Sequence, residues 1–404
     1  VAASAALATA KWRRRRRICR RQWVAEIDPG LAYGLVWAGF IAYLGALAAA
    51  PALGRTIVWT AVVILVGAFA LAPVLLSHDV FSYVDYARLG VVHGLDPYAH
   101  APHAAPTDPA FADVTWPGTT SAYGPLFTLA TYPLAWLPVG LAVAALKAVA
   151  ALSVLGLAVV VARLAAMRGV DPLRATVFVA LNPLVLVHVV GGAHNDGLTT
   201  LLAMLAVAAL LVGREASAGA ALVAAAAVKP SALFLAPFAL LANARSPRPT
   251  GRFVNSGTTN RPLGRLLIGA VGAGVLIGVA AYAGFGWDWL HAIGLAGENQ
   301  SRTSHLSIPT TFGRVSGLDH DSVRVLALSL YAVAFAYLLF WTWRGGDWIR
   351  ASAWAALGLL LATSWLLPWY LIWALPLVAI SRDRTLQLLT LALTAYQLGA
   401  RIPL

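Results

Sequence analysis

Between Trp59 and Leu76 the chain runs for 18 residues without a charged side chain, and comparable runs recur to its end. A hydrocarbon core about 30 Å thick is crossed by roughly 20 apolar residues in a helix. Inside lipid every backbone N–H and C=O needs an internal partner, so such runs form helices or a closed barrel. The strict apolar–polar alternation of barrel strands is not seen in this sequence. The expected fold is all-α, a polytopic bundle of about eleven membrane segments. Composition agrees: 60% of residues are hydrophobic and 11% charged, against about 25% charged in soluble domains.

Segments are read at residues 31–53 and 56–76, turning at Gly54-Arg55, then at 139–167, 175–190, 198–212, 266–285, 323–343 and 385–398. Residues 218–242, broken at Lys229-Pro230, read as a hairpin of two short helices. Residues 351–380 enter and return around residues 365–370, and residues 126–137 are too short to span comfortably. No internal repeat is evident. Residues 31–404 are therefore expected to form one transmembrane domain behind a basic tail, residues 1–30.

The tail holds a dense basic run from Lys11 to Arg21, and the whole chain carries a net charge of +13. In a membrane protein this pattern points to cytoplasmic loops and anionic lipid rather than to nucleic acid. A single cysteine, Cys19, excludes an internal disulfide. Basic turns at 168–174, 344–350 and 382–384, with a linker at 243–264, are assigned to the cytoplasm. That places loops 77–121, 191–197, 286–322 and 364–370 together outside, on the extracytoplasmic face of the plasma membrane. The tip near Lys229 joins them. Two crossings before Asp79 would leave the basic tail outside as well, which conflicts with the positive-inside rule; the four later loops carry the assignment.

Ten of the 16 acids fall on this outer side, and the densest group is Ser77-His78-Asp79-Val-Phe-Ser-Tyr83-Val-Asp85-Tyr-Ala-Arg88. A carboxylate at a membrane face can act as general base toward a hydroxyl if it has reach and a tuned pKa. Asp79, at the end of an apolar run, is the candidate; the alternative is that it caps the next helix, with Ser77 as a rival cap. Asp85 could share or orient the same acceptor. His194, Asn195 and Asp196 stand at a helix entrance, where Asp196 could instead be an N-cap. Lys229, one of three lysines, lies in an apolar stretch, where a cation is costly and commonly paired or functional. It could meet a phosphate, or it could snorkel to the interface; Lys229→Ala is expected to weaken donor binding with the fold kept. Arg302 and His305 could serve the same anion or belong to a solvated loop. An interfacial belt accounts for most of Trp116, Tyr123, Trp287, Trp289, Trp365, Trp369 and Tyr370, and sugar stacking for one or two. His78, Asp79, His194 and Asp196 are chemically able to bind a divalent ion, but no dense ligand spacing supports one, and no metal or cofactor is expected.

Residues 71–83, Gly94-Leu-Asp-Pro-Tyr98, Tyr123-Gly-Pro125, Leu181-Asn-Pro-Leu184, Gly191-Gly-Ala-His-Asn-Asp196, Val228-Lys-Pro230 and Leu367-Pro-Trp-Tyr-Leu-Ile-Trp373 resemble those of actinobacterial polyprenyl-phosphomannose-dependent α-1,6-mannosyltransferases, integral-membrane enzymes of the GT-C superfamily. The similarity runs in order from about residue 57 to 380. The resemblance implies inverting transfer from a lipid-phosphate sugar on the outer face, with no nucleotide sugar. It implies Asp79 as base, polyprenyl-phosphate-mannose as donor, a mannan or lipoglycan as acceptor, and membrane lipids as surroundings. Relatives often carry Arg where this chain has His78, which puts a phosphate contact there in question. The same superfamily could transfer glucose or arabinose, and a lipid-linked-sugar flippase or transporter is the non-enzymatic alternative; buried mid-membrane charge in broken helices would favour it.

Overall fold

The computed structural model describes residues 29–244, 262–298, 301–305 and 307–400. Almost all of the basic tail and most of the 243–264 linker lie outside them. Among the described residues there are helices and loops and no strand.

The first element, α1 (Pro29–Leu71), is 43 residues long and would reach about 64 Å if straight. Gly54 interrupts it at φ 77° and ψ 164°, a region essentially reserved for glycine. The Tyr43 hydroxyl donates to the Phe178 carbonyl at 2.9 Å, and the Leu75 N–H to that of Gly191 at 3.1 Å. Those acceptors lie a few turns apart on one neighbouring segment, so α1 folds back at Gly54, where the sequence places its turn. Phe40, Tyr43 and Leu47 on one arm, and Val58, Val62 and Val66 on the other, recur every three or four residues and are buried.

The centre of the bundle is α4 (Val139–Met167), with half of its most apolar window buried. The described residues contain four helices long and apolar enough to cross a membrane: α4, residues 33–71 of α1, and two more at Pro262–Phe285 and His320–Trp343. The last two have only 11% and 6% of that window buried, so they form the lipid-facing periphery.

Other segments are shorter than a simple count of spans suggests. After α2 (Asp79–Val91), α3 (Pro125–Thr131) and α4 comes α5 (Pro172–Ala180), where the expected 175–190 span breaks. Pro183 lacks an N–H, and Asn182 bridges the gap: its Oδ1 accepts the Leu184 N–H at 3.0 Å and its Nδ2 donates to Thr394 at 3.2 Å. One π-helical stretch, Val185–Val190, then leads to the Gly191-Gly192 turn. Helices α6 (Asp196–Leu211) and α7 (Glu215–Val228), of 16 and 14 residues, reach about 24 Å at most. They meet polar clusters before they could cross 30 Å of hydrocarbon. The break at Lys229-Pro230 falls where the sequence places it, followed by a 3₁₀ turn and α8 (Ala236–Ala244).

Helix α7 packs on α9 (Pro262–Phe285) through glycines. A Cβ on Gly219 would lie 2.0 Å from the Leu266 carbonyl oxygen, and one on Gly269 1.9 Å from that of Ala216. Without an aqueous driving force between helices, such small-residue contacts let backbones approach and gain dispersion.

Neither long outer loop is simply a loop. Residues 77–121 open with α2, an amphipathic helix, and residues 286–322 contain α10 (His291–Glu298) and α11 (Ile308–Ser316) before α12 (His320–Trp343) begins. Ser307 caps α11 by accepting the Thr310 N–H at 3.0 Å. The chain closes with α13 (Trp348–Ala362), a 3₁₀ turn over Pro368–Trp373, α14 (Leu375–Ile380) and α15 (Arg384–Ala400). Opposite the Asp79 end, Arg168 pairs with Asp347, and Arg350 with Asp383 at 2.8 Å. These ion pairs hold the basic turns at 168–174, 344–350 and 382–384 on one face, as their charge predicts.

Candidate active site

Four polar groups from three distant stretches meet at one face of the bundle. Asp79 is the first residue of α2, whose dipole favours a negative charge there. Its cap position is His78, with no side-chain cap, so the Asp79 carboxylate is not consumed in capping. His194 Nδ1 lies 3.8 Å from Asp79 Oδ2, and Trp116 stands near enough to help hold the carboxylate ionised. Burial pushes the Asp79 carboxyl up to about 6; Lys229 and Trp116 oppose the shift and the Asp196 charge adds to it.

Asp196, with no exposed surface, does not cap α6 either. Its Oδ1 accepts from Lys229 Nζ at 2.8 Å and from Trp373 Nε1 at 2.7 Å, and its Oδ2 from Lys229 at 2.9 Å. Lys229 therefore neither snorkels nor stands free. Its ammonium also lies 5.0 Å from the Tyr370 ring centre and 5.5 Å from that of Trp373, near two faces that favour a cation. Lys229→Ala would leave the buried Asp196 carboxylate with Trp373 as its remaining donor, so this variant is expected to cost stability as well as donor binding.

Aromatic rings wall the group. Trp369 stacks on His194 at 3.7 Å and 19°, and Tyr370 on Trp373 at 4.2 Å and 20°. Behind Asp79, one turn along α2, Tyr83 packs edge-on against Tyr123 and Phe127 at 4.7 and 5.0 Å. The motifs around Tyr123 and Lys229 touch directly: the Gly124 N–H donates to the Val228 carbonyl at 3.0 Å. A Cβ on Gly124 would lie 2.1 Å from the Ala227 oxygen, so only glycine fits. Arg302 reaches the rim with its guanidinium 5.2 Å from the Trp116 ring centre and 5.9 Å from that of Trp365. It is carried there by Ser304, whose N–H and hydroxyl donate to the Ser364 and Leu366 carbonyls.

Four residues singled out from sequence take other places. Arg88 is spent on structure: Nε donates to both Asp108 oxygens at 2.8 and 3.0 Å, and an amino group to the Ala135 carbonyl. Burial works against the Asp108 carboxylate, yet bonds from Arg88, Ala110 and His93 hold it below the usual range. Asp85 belongs to this second cluster, since six residues of helix turn it away from Asp79. It is 1% exposed with no hydrogen bond to either oxygen. Burial pushes it up to about 7, with Asp108 adding and Arg88 opposing. His305 has an exposed side chain and contributes its carbonyl, which accepts from Thr311 and Arg314. His78 is exposed at the rim, its Nδ1 3.2 Å from the Asp113 carbonyl. Conversely, Trp373 enters as a carboxylate donor, though the sequence reading names it only within the motif at residues 367–373; a part-buried indole N–H seeking a partner is the available signal. Among the described residues, no three His, Asp, Glu or Cys side chains gather as a metal site would require.

The fold and this site define a polytopic membrane protein whose acid-and-cation cluster is flanked by aromatic rings. The chain belongs to the family described as "Alpha-(1->6)-mannopyranosyltransferase, N-terminal domain", which matches residues 1–245. It is similar to the alpha-(1->6)-mannopyranosyltransferase A of Mycobacterium tuberculosis, 32% identical over 332 residues that cover 76% of this chain and 61% of that protein. It is also similar to the probable alpha-(1->6)-mannopyranosyltransferase of Mycolicibacterium smegmatis, 28% identical over 360 residues, covering 76% and 62%. A third relative, the alpha-(1->6)-mannopyranosyltransferase A of Corynebacterium glutamicum, is 32% identical over 174 residues, covering 41% and 34%. The chain thus spans less than two thirds of the length of these curated relatives. No solved structure matches it.

Proposed function

We propose that the chain is a glycosyltransferase that moves mannose from polyprenyl-phosphate-mannose to a hydroxyl of a mannan or lipoglycan. The observation that carries this reading is a partly buried carboxyl, Asp79, pushed up to about 6 and 3.8 Å from His194, beside the Lys229–Asp196 pair. A general base works best with a pKa near the operating pH. Asp79 takes the proton of the acceptor hydroxyl, whose oxygen forms a bond to the anomeric carbon from the face opposite the phosphate. The bond from that carbon to the phosphate oxygen breaks, and the lipid phosphate leaves with the electron pair. The configuration inverts. The leaving phosphate gains charge, which fixed cations stabilise; Lys229 and Arg302 supply it on this reading, with no metal or cofactor in the step. The α-(1→6) linkage and the mannose come from the relatives' names, and the extracytoplasmic face of the plasma membrane from the basic turns opposite the site.

The test is transfer from radiolabelled polyprenyl-phosphate-mannose to short mannosides by purified protein. Wild type is expected to transfer with inversion, and folded Asp79→Asn to lose at least about 100-fold in kcat. Near wild-type turnover by Asp79→Asn removes the base assignment. Transfer only from glucose or arabinose donors would keep the chemistry and change the sugar.

A further inference from the structure

Lys147 lies in α4, 4% exposed, and takes part in none of the ion pairs among the described residues. Instead its ammonium donates to the carbonyls of Ala72, Pro73 and Gly191, the last two at 3.1 Å. These acceptors belong to the two backbone stretches that deliver the site. Ala72 and Pro73 precede the approach to Asp79, and Gly191 opens the turn to His194, Asn195 and Asp196. The Leu75 N–H joins the same stretches by donating to Gly191 at 3.1 Å.

A second observation falls at the same two places. Leu76 has φ 55° and Ala193 φ 56°, the left-handed region that L side chains adopt only at a cost. Such strain persists only where surrounding structure over-determines it. Leu76 stands three residues before Asp79, and Ala193 immediately before His194. Each strained residue is preceded, within four positions, by a carbonyl held by Lys147.

We propose that Lys147 is a positioning residue: by gathering three carbonyls onto one buried ammonium it fixes the spacing between the Asp79 loop and the His194 turn. Without the ammonium, the Ala72 and Pro73 carbonyls lose the bonds that tie them to the Gly191 turn, and only the Leu75 N–H still joins the two stretches. The two turns would then relax out of their left-handed conformations, and Asp79 and His194 would separate. Lys147 touches no substrate, and its part in turnover rests on the reading of Asp79 as base.

The experiment compares wild type, Lys147→Met and Lys147→Arg in detergent, by hydrogen exchange and by transfer kinetics. In Lys147→Met, exchange at residues 72–80 and 189–196 is expected to rise together by tenfold or more, with α12 and α13 unchanged. The kcat is expected to fall about tenfold or more at a donor KM within about threefold of wild type, with Lys147→Arg restoring part of it. Wild-type exchange in both stretches overturns the proposal, as does a uniform rise across the bundle, which marks a merely structural lysine. Should Lys147→Met not fold, Lys147→Gln, whose amide cannot gather all three carbonyls, is scored by the same exchange criteria. Exchange is independent of chemistry, so a wild-type chain that transfers nothing defeats the mannosyltransferase reading while the exchange pattern still judges Lys147.

Discussion

Lys229 Nζ sits 2.8 and 2.9 Å from the two oxygens of Asp196, a carboxylate with no exposed surface. Removing one member of a buried pair leaves an uncompensated charge, which typically costs 3–5 kcal/mol, whereas neutralising both is far milder. Lys229→Met is expected to lower the thermal midpoint in detergent markedly, and Lys229→Met with Asp196→Asn to recover much of it. Additive losses in that double-mutant cycle would show that the two side chains do not depend on each other.

Asp79 links stability and turnover with opposite signs. Its folded pKa, about 6, exceeds the unfolded value of 3.8, so the fold disfavours the ionised form. Stability therefore falls as pH rises from about 4 through 6, and the cost stays fully present above that. Turnover needs the ionised base and rises through the same window. Asp79→Asn is expected to be more stable than wild type at pH 7.5 by about 1–3 kcal/mol while inactive. Melting curves at pH 4.5 and 7.5, set beside transfer rates, check both halves.

Asp85 offers the same linkage without the chemistry. Burial lifts it to about 7, so its stabilising protonated form is lost as pH rises from about 4 through 7. Asp85→Asn is expected to stabilise the protein above pH 7, with a gain that fades toward pH 4 and with turnover preserved. A folded Asp85→Asn that has lost transfer would return this residue to the catalytic group.

Arg302 and His305 are three residues apart, yet only the guanidinium approaches the site, between Trp116 and Trp365. Arg302→Gln is expected to raise donor KM about tenfold, an effect that shrinks at high salt as screening grows. His305→Ala is expected to leave KM unchanged. Equal effects of the two substitutions would place both in the solvated loop.

Much of this was legible in the residues. Apolar runs located α4 to the residue, and Gly54 and Lys229-Pro230 marked real breaks, because glycine and proline act locally. The gathering of Asp79, His194–Asp196 and Lys229 followed from charge asymmetry between the loops. What the order of residues hid was partnership. Nothing near Arg88 in sequence says that Asp108, not a substrate, takes its guanidinium, and nothing near Asp196 announces Trp373, 177 positions away. Helical phase could have separated Asp85 from Asp79, but residues 77–121 read as a loop, where phase has no meaning.

The two outermost helices, α9 and α12, meet the bilayer with most of their surface and lend no side chain to the pocket. Fluorophores or affinity handles placed on their exposed positions, such as Val275 or Val333, can therefore report insertion and detergent exchange without disturbing turnover. The helices that a solubilising agent must clothe are separate from those whose spacing the reaction depends on.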